Sequence, residues 1–132
     1  LSLYADVFSV GAVNRNGIIA EFSSRGPVTS DKSNRIKPDI SAPGVDVISS
    51  MPKNTYTANS GTSMAGPHLV GVVALIWSAQ PKLIGDIDRT TQILIQTAKP
   101  YKGVVSNCGD PKNTAGYGIV DAYAAVKMAL GK

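Results

Sequence analysis

Residues 60–71 read Ser-Gly-Thr-Ser-Met-Ala-Gly-Pro-His-Leu-Val-Gly and lead into the most apolar run of the chain, residues 69–77. A segment that is apolar almost all round predicts a buried helix, because a surface helix shows one polar face. Pro67 fits only near the beginning of such a helix, where its missing N–H costs little. Ser63 therefore lies at a helix N-terminus, where free N–H groups and the helix dipole favour nearby negative charge. That position suits the oxyanion of acyl transfer, and it equally suits Ser63 or Thr62 as an ordinary helix cap.

The elements on either side of this helix are shorter. Two further helices are predicted over about 85–98 and 121–130, the first capped by Asp86 or Asp88 and the second by Asp121. Short strands are predicted from apolar, extended or β-branched patterns at residues 7–13, 18–22, 40–43 and 45–48. Turns or surface loops are predicted at residues 14–17, 23–38, 52–54 and 101–115.

Composition excludes several classes of function. The chain has 132 residues, a net charge of +4, one His and one Cys, and its 43% hydrophobic content argues against disorder. The 13 Lys and Arg residues are scattered and only 6% of residues are aromatic, so no nucleic-acid groove is predicted. No apolar run approaches the roughly 20 residues of a membrane span. The single Cys108 excludes an internal disulfide framework and a Cys-rich zinc site, and it leaves its own pairing open.

Residues 61–65 (GTSMA), followed by Pro67 and His68, closely resemble the nucleophile signature of subtilisin-like serine proteases, the subtilases of peptidase family S8. The signature is not the Gly-x-Ser-x-Gly elbow of α/β-hydrolases, because Ala65 stands where that motif needs glycine. Four further segments resemble the same family in the same order, namely VGAV at 10–13, FSSRGP at 22–27, KPDISAPG at 37–44 and YGIVDA at 117–122. Residues 1–132 as a whole are similar to the C-terminal part of a subtilase catalytic domain.

The resemblance implies an α/β fold, the subtilisin-like arrangement of three layers with a mainly parallel sheet, present here as its C-terminal portion. It implies that Ser63 is the nucleophile of a serine endopeptidase, that it forms an acyl-enzyme, and that its backbone N–H contributes to the oxyanion hole. Thr62 is then expected to support that region, and Gly61 to give the backbone room to turn. Met64 is expected to border the leaving-group side, where it is exposed to oxidation.

His68 is not the expected general base. It follows Ser63 by five residues, and five helical residues advance about 500°, so the two side chains point roughly 140° apart. The resemblance instead implies a buried structural role for His68, and it places the catalytic Asp, the catalytic His and the oxyanion-hole Asn upstream of this chain. We therefore expect the chain alone to be inactive.

The resemblance also implies protein or peptide substrates, secretion to the outside of the cell, and contact with the upstream part of the same catalytic domain. The chain begins with Leu1 and has no signal segment, so we expect a piece of a longer precursor. Self-association is expected as well, because a divided parallel sheet exposes strand edges.

No redox or nucleotide cofactor is implied. Subtilases often bind calcium in loops, and the residues here that could supply oxygen ligands are Asn14, Asn16, Asp31 and Asn34. Ordinary turn polarity explains the same residues without a metal. The alternative from a different class is a non-catalytic pseudoprotease, or a module for interaction or assembly, and the upstream sequence discriminates between the two.

Overall fold

Two parallel strands pack against the helix that carries the predicted nucleophile. A computed structural model describes residues 4–105 and 109–132, and in it β1 (Val10–Val13) pairs with β2 (Ile40–Pro43) in the register Val10 to Ile40. On the other edge of β2, the Ser41 N–H donates to the Gly118 carbonyl at 2.8 Å, and the Val120 N–H donates to the Ser41 carbonyl at 2.9 Å. The chain around residue 119 therefore continues the parallel sheet beyond β2. The mixed α/β class with parallel strands is confirmed.

The helices are α1 (Thr62–Ala79), α2 (Ile87–Thr97), the single turn α3 (Lys112–Ala115) and α4 (Ala122–Ala129), with a 3₁₀ turn at Pro81–Leu83. Helix α1 packs on β1, β2 and α4, and α2 packs on α4. The main core between them consists of buried aliphatic side chains, namely Ile40, Leu69, Val72, Ile76, Ile93, Leu94 and Ala125.

The predicted caps of α2 and α4 are confirmed. The Asp86 carboxylate accepts a hydrogen bond from the Arg89 N–H at 3.0 Å, and the Asp121 carboxylate accepts one from the Ala124 N–H at 3.0 Å. These bonds satisfy N–H groups that the first turn of a helix leaves without a partner. The bond from Ala124, together with the nearby Lys99 ammonium, lowers the pKa of the Asp121 carboxyl.

A hairpin precedes α1. Strands β3 (Val47–Met51) and β4 (Thr55–Asn59) pair antiparallel, and the predicted turn at residues 52–54 joins them. Lys53 and Asn54 both have positive φ in this turn, at 64° and 56°. Every residue of β4, and every residue of β3 except Val47, is exposed.

The prediction that α1 is buried is wrong for much of its surface. Val70 is 68% exposed and Leu75 is 53% exposed, because within the described residues the sheet and α4 cover only the face that carries Leu69, Val72 and Ile76.

The prediction on membrane spans also needs correction, because the small neutral residues before residue 69 extend the apolar run to the whole of α1. By length and composition this helix could cross a membrane, criteria that the core helix of a soluble protein also meets.

Two predictions about local structure are wrong. Residues 18–22 form no strand, and Ile19 makes only an isolated bridge to Val13. The predicted surface loop at 101–115 ends in α3, whose Asn113, Thr114 and Ala115 are buried. The helix packs against β2, where the Ala115 carbonyl accepts a hydrogen bond from the Ser41 hydroxyl at 3.1 Å. Cys108 lies outside the described residues.

Candidate active site

Ser63 is the second residue of α1 and is exposed. The helix begins at the Gly61 carbonyl, which accepts hydrogen bonds from the Met64 N–H at 3.0 Å and the Ala65 N–H at 3.3 Å. Neither the backbone N–H nor the hydroxyl of Ser63 has a hydrogen-bond partner among residues 4–105 and 109–132. Both groups are therefore available at the positive end of the helix dipole, as an acyl-transfer nucleophile and its oxyanion donor require.

The turn before Ser63 is held from two sides. The Gly61 N–H donates to the Gly44 carbonyl at 2.8 Å, just beyond the end of β2. The Ser60 hydroxyl accepts a hydrogen bond from the Asp46 N–H at 2.9 Å, at the base of the hairpin. In the sequence, Gly44 stands out only as part of the motif at 37–44, and no local signal indicates that its carbonyl faces the nucleophile turn.

Gly61 itself does not have the expected steric role. Its backbone is extended, with φ 162° and ψ 161°, a region open to any residue. A Cβ added there would lie 3.5 Å from the Met64 Sδ, which is ordinary van der Waals contact. The turn therefore makes no demand for glycine at this position in the described structure.

A groove of about 470 Å³ runs along α1 from Ser63. Ser63 and Met64 line one end, Gly71 and Leu75 continue it along the helix, and Val47 of β3 lies opposite. The groove is largely apolar, so it suits a packed protein segment better than a charged ligand.

A smaller and more polar cavity of about 110 Å³ lies on the Thr62 side. Its lining includes Arg25 and Lys37, and the side chain of Lys37 is 11% exposed. The Lys37 ammonium donates to the Asp39 carboxylate and to the Val7 carbonyl, each at 2.6 Å, and the Asp39 carboxylate also accepts from the Ser9 N–H at 2.6 Å. This network connects the segment before β1 to the segment before β2. It joins residues 30 positions apart in the chain, and it was not predicted from the sequence.

His68 is exposed, so the prediction that it is buried is wrong. Its ring has a local hydrogen-bond partner, because Nδ1–H donates to the Met64 carbonyl one turn earlier at 2.9 Å. His68 and Ser63 both line the groove, but no hydrogen bond joins them. Within the described residues Ser63 therefore has no hydrogen-bonded base.

Two of the four candidate calcium ligands, Asn14 and Asp31, use their side-chain oxygens within their own turns. The Asn14 side-chain oxygen accepts from the Asn16 and Ile18 N–H groups, at 2.9 and 3.1 Å. The Asp31 carboxylate accepts from the Ser33 N–H and pairs with the Arg35 guanidinium at 2.7 Å. Hydrogen bonds from Ser33 lower the pKa of Asp31 to about 2. The described part of the chain holds no cluster of three or more His, Cys, Asp or Glu, and calcium binding by the Asn residues stays a prediction.

The family model described as the subtilase family matches residues 2–119. The chain belongs to the subtilase family. It is 43% identical to Bacillopeptidase F of Bacillus subtilis (strain 168), over 98% of this chain and 9% of that protein, and 36% identical to Subtilisin DY of Bacillus licheniformis, over 94% of this chain and 38% of that protein. The structure of the Clostridium perfringens CspB protease superposes with a TM-score of 0.74 and 30% identity, over 96% of this chain and 27% of that one.

This subtilase chain spans less than two fifths of each of these relatives. The Minor extracellular protease Vpr of B. subtilis (strain 168) shows the same pattern, with 38% identity over 83% of this chain and 14% of that protein. The family and the fold are thus shared with proteases that are much longer.

Proposed function

We propose that this chain supplies the nucleophile of a secreted serine endopeptidase. Its residues 1–132 form the C-terminal part of the catalytic domain. The observation that carries the proposal is the position of Ser63 in a subtilase chain: its hydroxyl and N–H are both without a partner among the described residues, at the first turn of α1. A serine that merely capped the helix would use its hydroxyl to accept a hydrogen bond from an N–H of that first turn.

In the proposed reaction, the Ser63 Oγ attacks the scissile carbonyl while a general base takes the hydroxyl proton. The tetrahedral oxyanion then accepts a hydrogen bond from the Ser63 N–H, in the field of the α1 N-terminus. The proton passes to the leaving amine, and water afterwards hydrolyses the acyl-enzyme. Thr62 supports the turn on one side, and Met64 borders the leaving group on the other.

The base, the carboxylate that orients it and an oxyanion-hole Asn come from the upstream part of the same domain. Two observations support this. The only His of the chain is engaged with the Met64 carbonyl, and α1 presents Val70 and Leu75 to solvent beside an apolar groove that starts at Ser63. We infer that the upstream part packs on this exposed face of α1.

Secretion and protein substrates are part of the same proposal. A related protein is named an extracellular protease, and the other relatives are named as proteases or subtilisins. None of the proposed steps requires a metal or a cofactor. The exposed apolar face of α1 leads us to expect that the isolated chain self-associates, which sedimentation at several concentrations measures directly.

Labelling with a fluorophosphonate probe tests the proposal. The longer protein that contains this chain should be modified rapidly and stoichiometrically at Ser63. The S63A variant should not be modified, whereas S78A, which changes an exposed serine of the same helix, should be modified like the native protein. The isolated chain should remain unmodified.

Two outcomes contradict the proposal. If the longer protein is not labelled although it is folded, the chain belongs to a non-catalytic pseudoprotease or an interaction module. If the isolated chain is labelled as fast as the longer protein, the base does not lie upstream.

A further inference from the structure

The residue that follows β2 joins three parts of the fold. Gly44 is buried, its N–H donates to the Val13 carbonyl at 2.9 Å, and its carbonyl accepts from the Gly61 N–H at 2.8 Å. One residue thereby connects the end of β1 with the turn at which α1 begins.

There is no room for a side chain on Gly44. A Cβ added there would lie 2.7 Å from the Ala12 Cβ, 2.7 Å from the Gly61 carbonyl oxygen and 3.1 Å from the Ala65 Cβ. The φ of Gly44 lies outside the left-handed region, so close approach alone creates the need for glycine. The three contacts are with Ala12 in the sheet, with Gly61 in the turn and with Ala65 in the helix.

The contact with the Gly61 carbonyl has a direct consequence for Ser63. This oxygen accepts the first two hydrogen bonds of α1, from the Met64 and Ala65 N–H groups, and Ser63 lies between acceptor and donors. A displacement of the Gly61 carbonyl therefore reorients the first turn, including the Ser63 N–H. By contrast, a Cβ added at Gly66 or Gly71 meets nothing within 4 Å.

The hairpin cannot absorb such a displacement by sliding. Its base is held by the hydrogen bond from the Asp46 N–H to the Ser60 hydroxyl and by the pairing of Val47 with Asn59. We therefore expect a displacement at Gly44 to reach the turn at Gly61.

We propose that Gly44 is a positioning residue for Ser63: the absence of its side chain lets the end of β2 contact the Gly61 carbonyl and so sets the direction of the Ser63 N–H and hydroxyl. The proposal rests on the proposed function of Ser63. Gly44 does not touch the substrate, and it acts through the close approach of the Gly61 carbonyl and of Ala65 at the start of α1.

Peptide hydrolysis by the longer protein tests this role, with G44A compared with G66A. We expect G44A to lower kcat per folded molecule about 10-fold, a smaller loss than the roughly 100-fold that a 1 Å misplacement causes. KM should change less than twofold, because the contacts that bind substrate are not moved. G66A, on the same helix but outside the lining of the groove, adds a Cβ that meets nothing within 4 Å and should retain the native kcat.

A second variant separates positioning from stability. A12G combined with G44A removes the contact between the two Cβ atoms but leaves the contact with the Gly61 oxygen. Its Tm should recover relative to G44A, while its kcat should stay low.

Native kcat in G44A would overturn the proposal, and so would recovery of kcat in the double variant or failure of both Gly44 variants to fold. If the native longer protein is itself inactive and unlabelled, the proposed function fails, and the role of Gly44 fails with it. A labelled, active native protein with a fully active G44A variant refutes the role of Gly44 alone.

Discussion

Neighbouring residues of α1 should differ sharply in what their truncation costs. Ile76 is fully buried in the main core, whereas Leu75, next to it, is 53% exposed. I76A removes three carbon groups, which at about 0.8 kcal/mol per buried group is roughly 2.4 kcal/mol, and the cavity raises the loss to about 3–4 kcal/mol. L75A removes the same number of groups from a half-exposed position, so we expect a loss of about 1 kcal/mol.

Urea unfolding of the 132-residue chain measures both losses, at concentrations where sedimentation shows the chain to be monomeric. Trp77 is the only tryptophan, and its indole N–H donates to the Thr90 hydroxyl of α2 at 3.0 Å, so its fluorescence reports the contact between α1 and α2. Far-UV circular dichroism provides a second probe that does not depend on the environment of the indole. Equal losses for I76A and L75A would refute the assignment of the buried and exposed faces of α1.

The same pair of variants reports on the covering of α1. If the upstream part packs on Leu75 in the longer protein, L75A should cost more there than in the isolated chain. I76A should cost about the same in both. An unchanged cost for L75A would place the upstream part elsewhere.

Three further results are expected. Asp121 has a lowered pKa in the folded chain, so its contribution to stability is present above the pKa of the unfolded carboxyl and is lost as the pH falls through the folded pKa. The urea midpoints of the native protein and of D121N should therefore converge in acid and differ at neutral pH. G116A should be strongly destabilising, because Gly116 has a φ of 68° and an added Cβ would overlap the Asp39 carbonyl, and a Tm unchanged from native would contradict this. T90V should cost about 1–3 kcal/mol in urea unfolding, since it removes the acceptor of the Trp77 N–H and the hydroxyl that donates to the Asp86 carbonyl at 2.7 Å. A loss equal to that of an exposed T57V control would show that these hydrogen bonds contribute nothing.

The features that could be predicted from the sequence are those held by interactions between near neighbours in the chain, namely helix caps, a turn and an extended segment. Asp86 and Asp121 cap α2 and α4 as the sequence predicts, because a cap bond spans only three residues. The turn at residues 52–54 and the extended segment at 40–43 follow from their own residue types in the same way.

Features that depend on distant segments could not be predicted. Nothing near Asn113 in the sequence indicates that α3 is buried, because its burial follows from the fold bringing residues 112–115 against β2. The need for glycine at position 44 likewise arises from the approach of Ala12 and Gly61, which lie far away in the chain. At the site, the motif led to Ser63 as the candidate nucleophile, while the contacts that hold its turn became visible only in three dimensions.

The β3–β4 hairpin makes the site tolerant of change at one end. Its tip at residues 52–54 lies five paired positions from its base, and the side chains between are nearly all exposed. Additional residues inserted at the tip lengthen a projection into solvent and leave the distance between Gly44 and Gly61 unaltered. The hairpin is thus a position at which evolution or an engineer can add a new recognition loop, on the element that leads into Ser63, while the contacts that hold the serine stay the same.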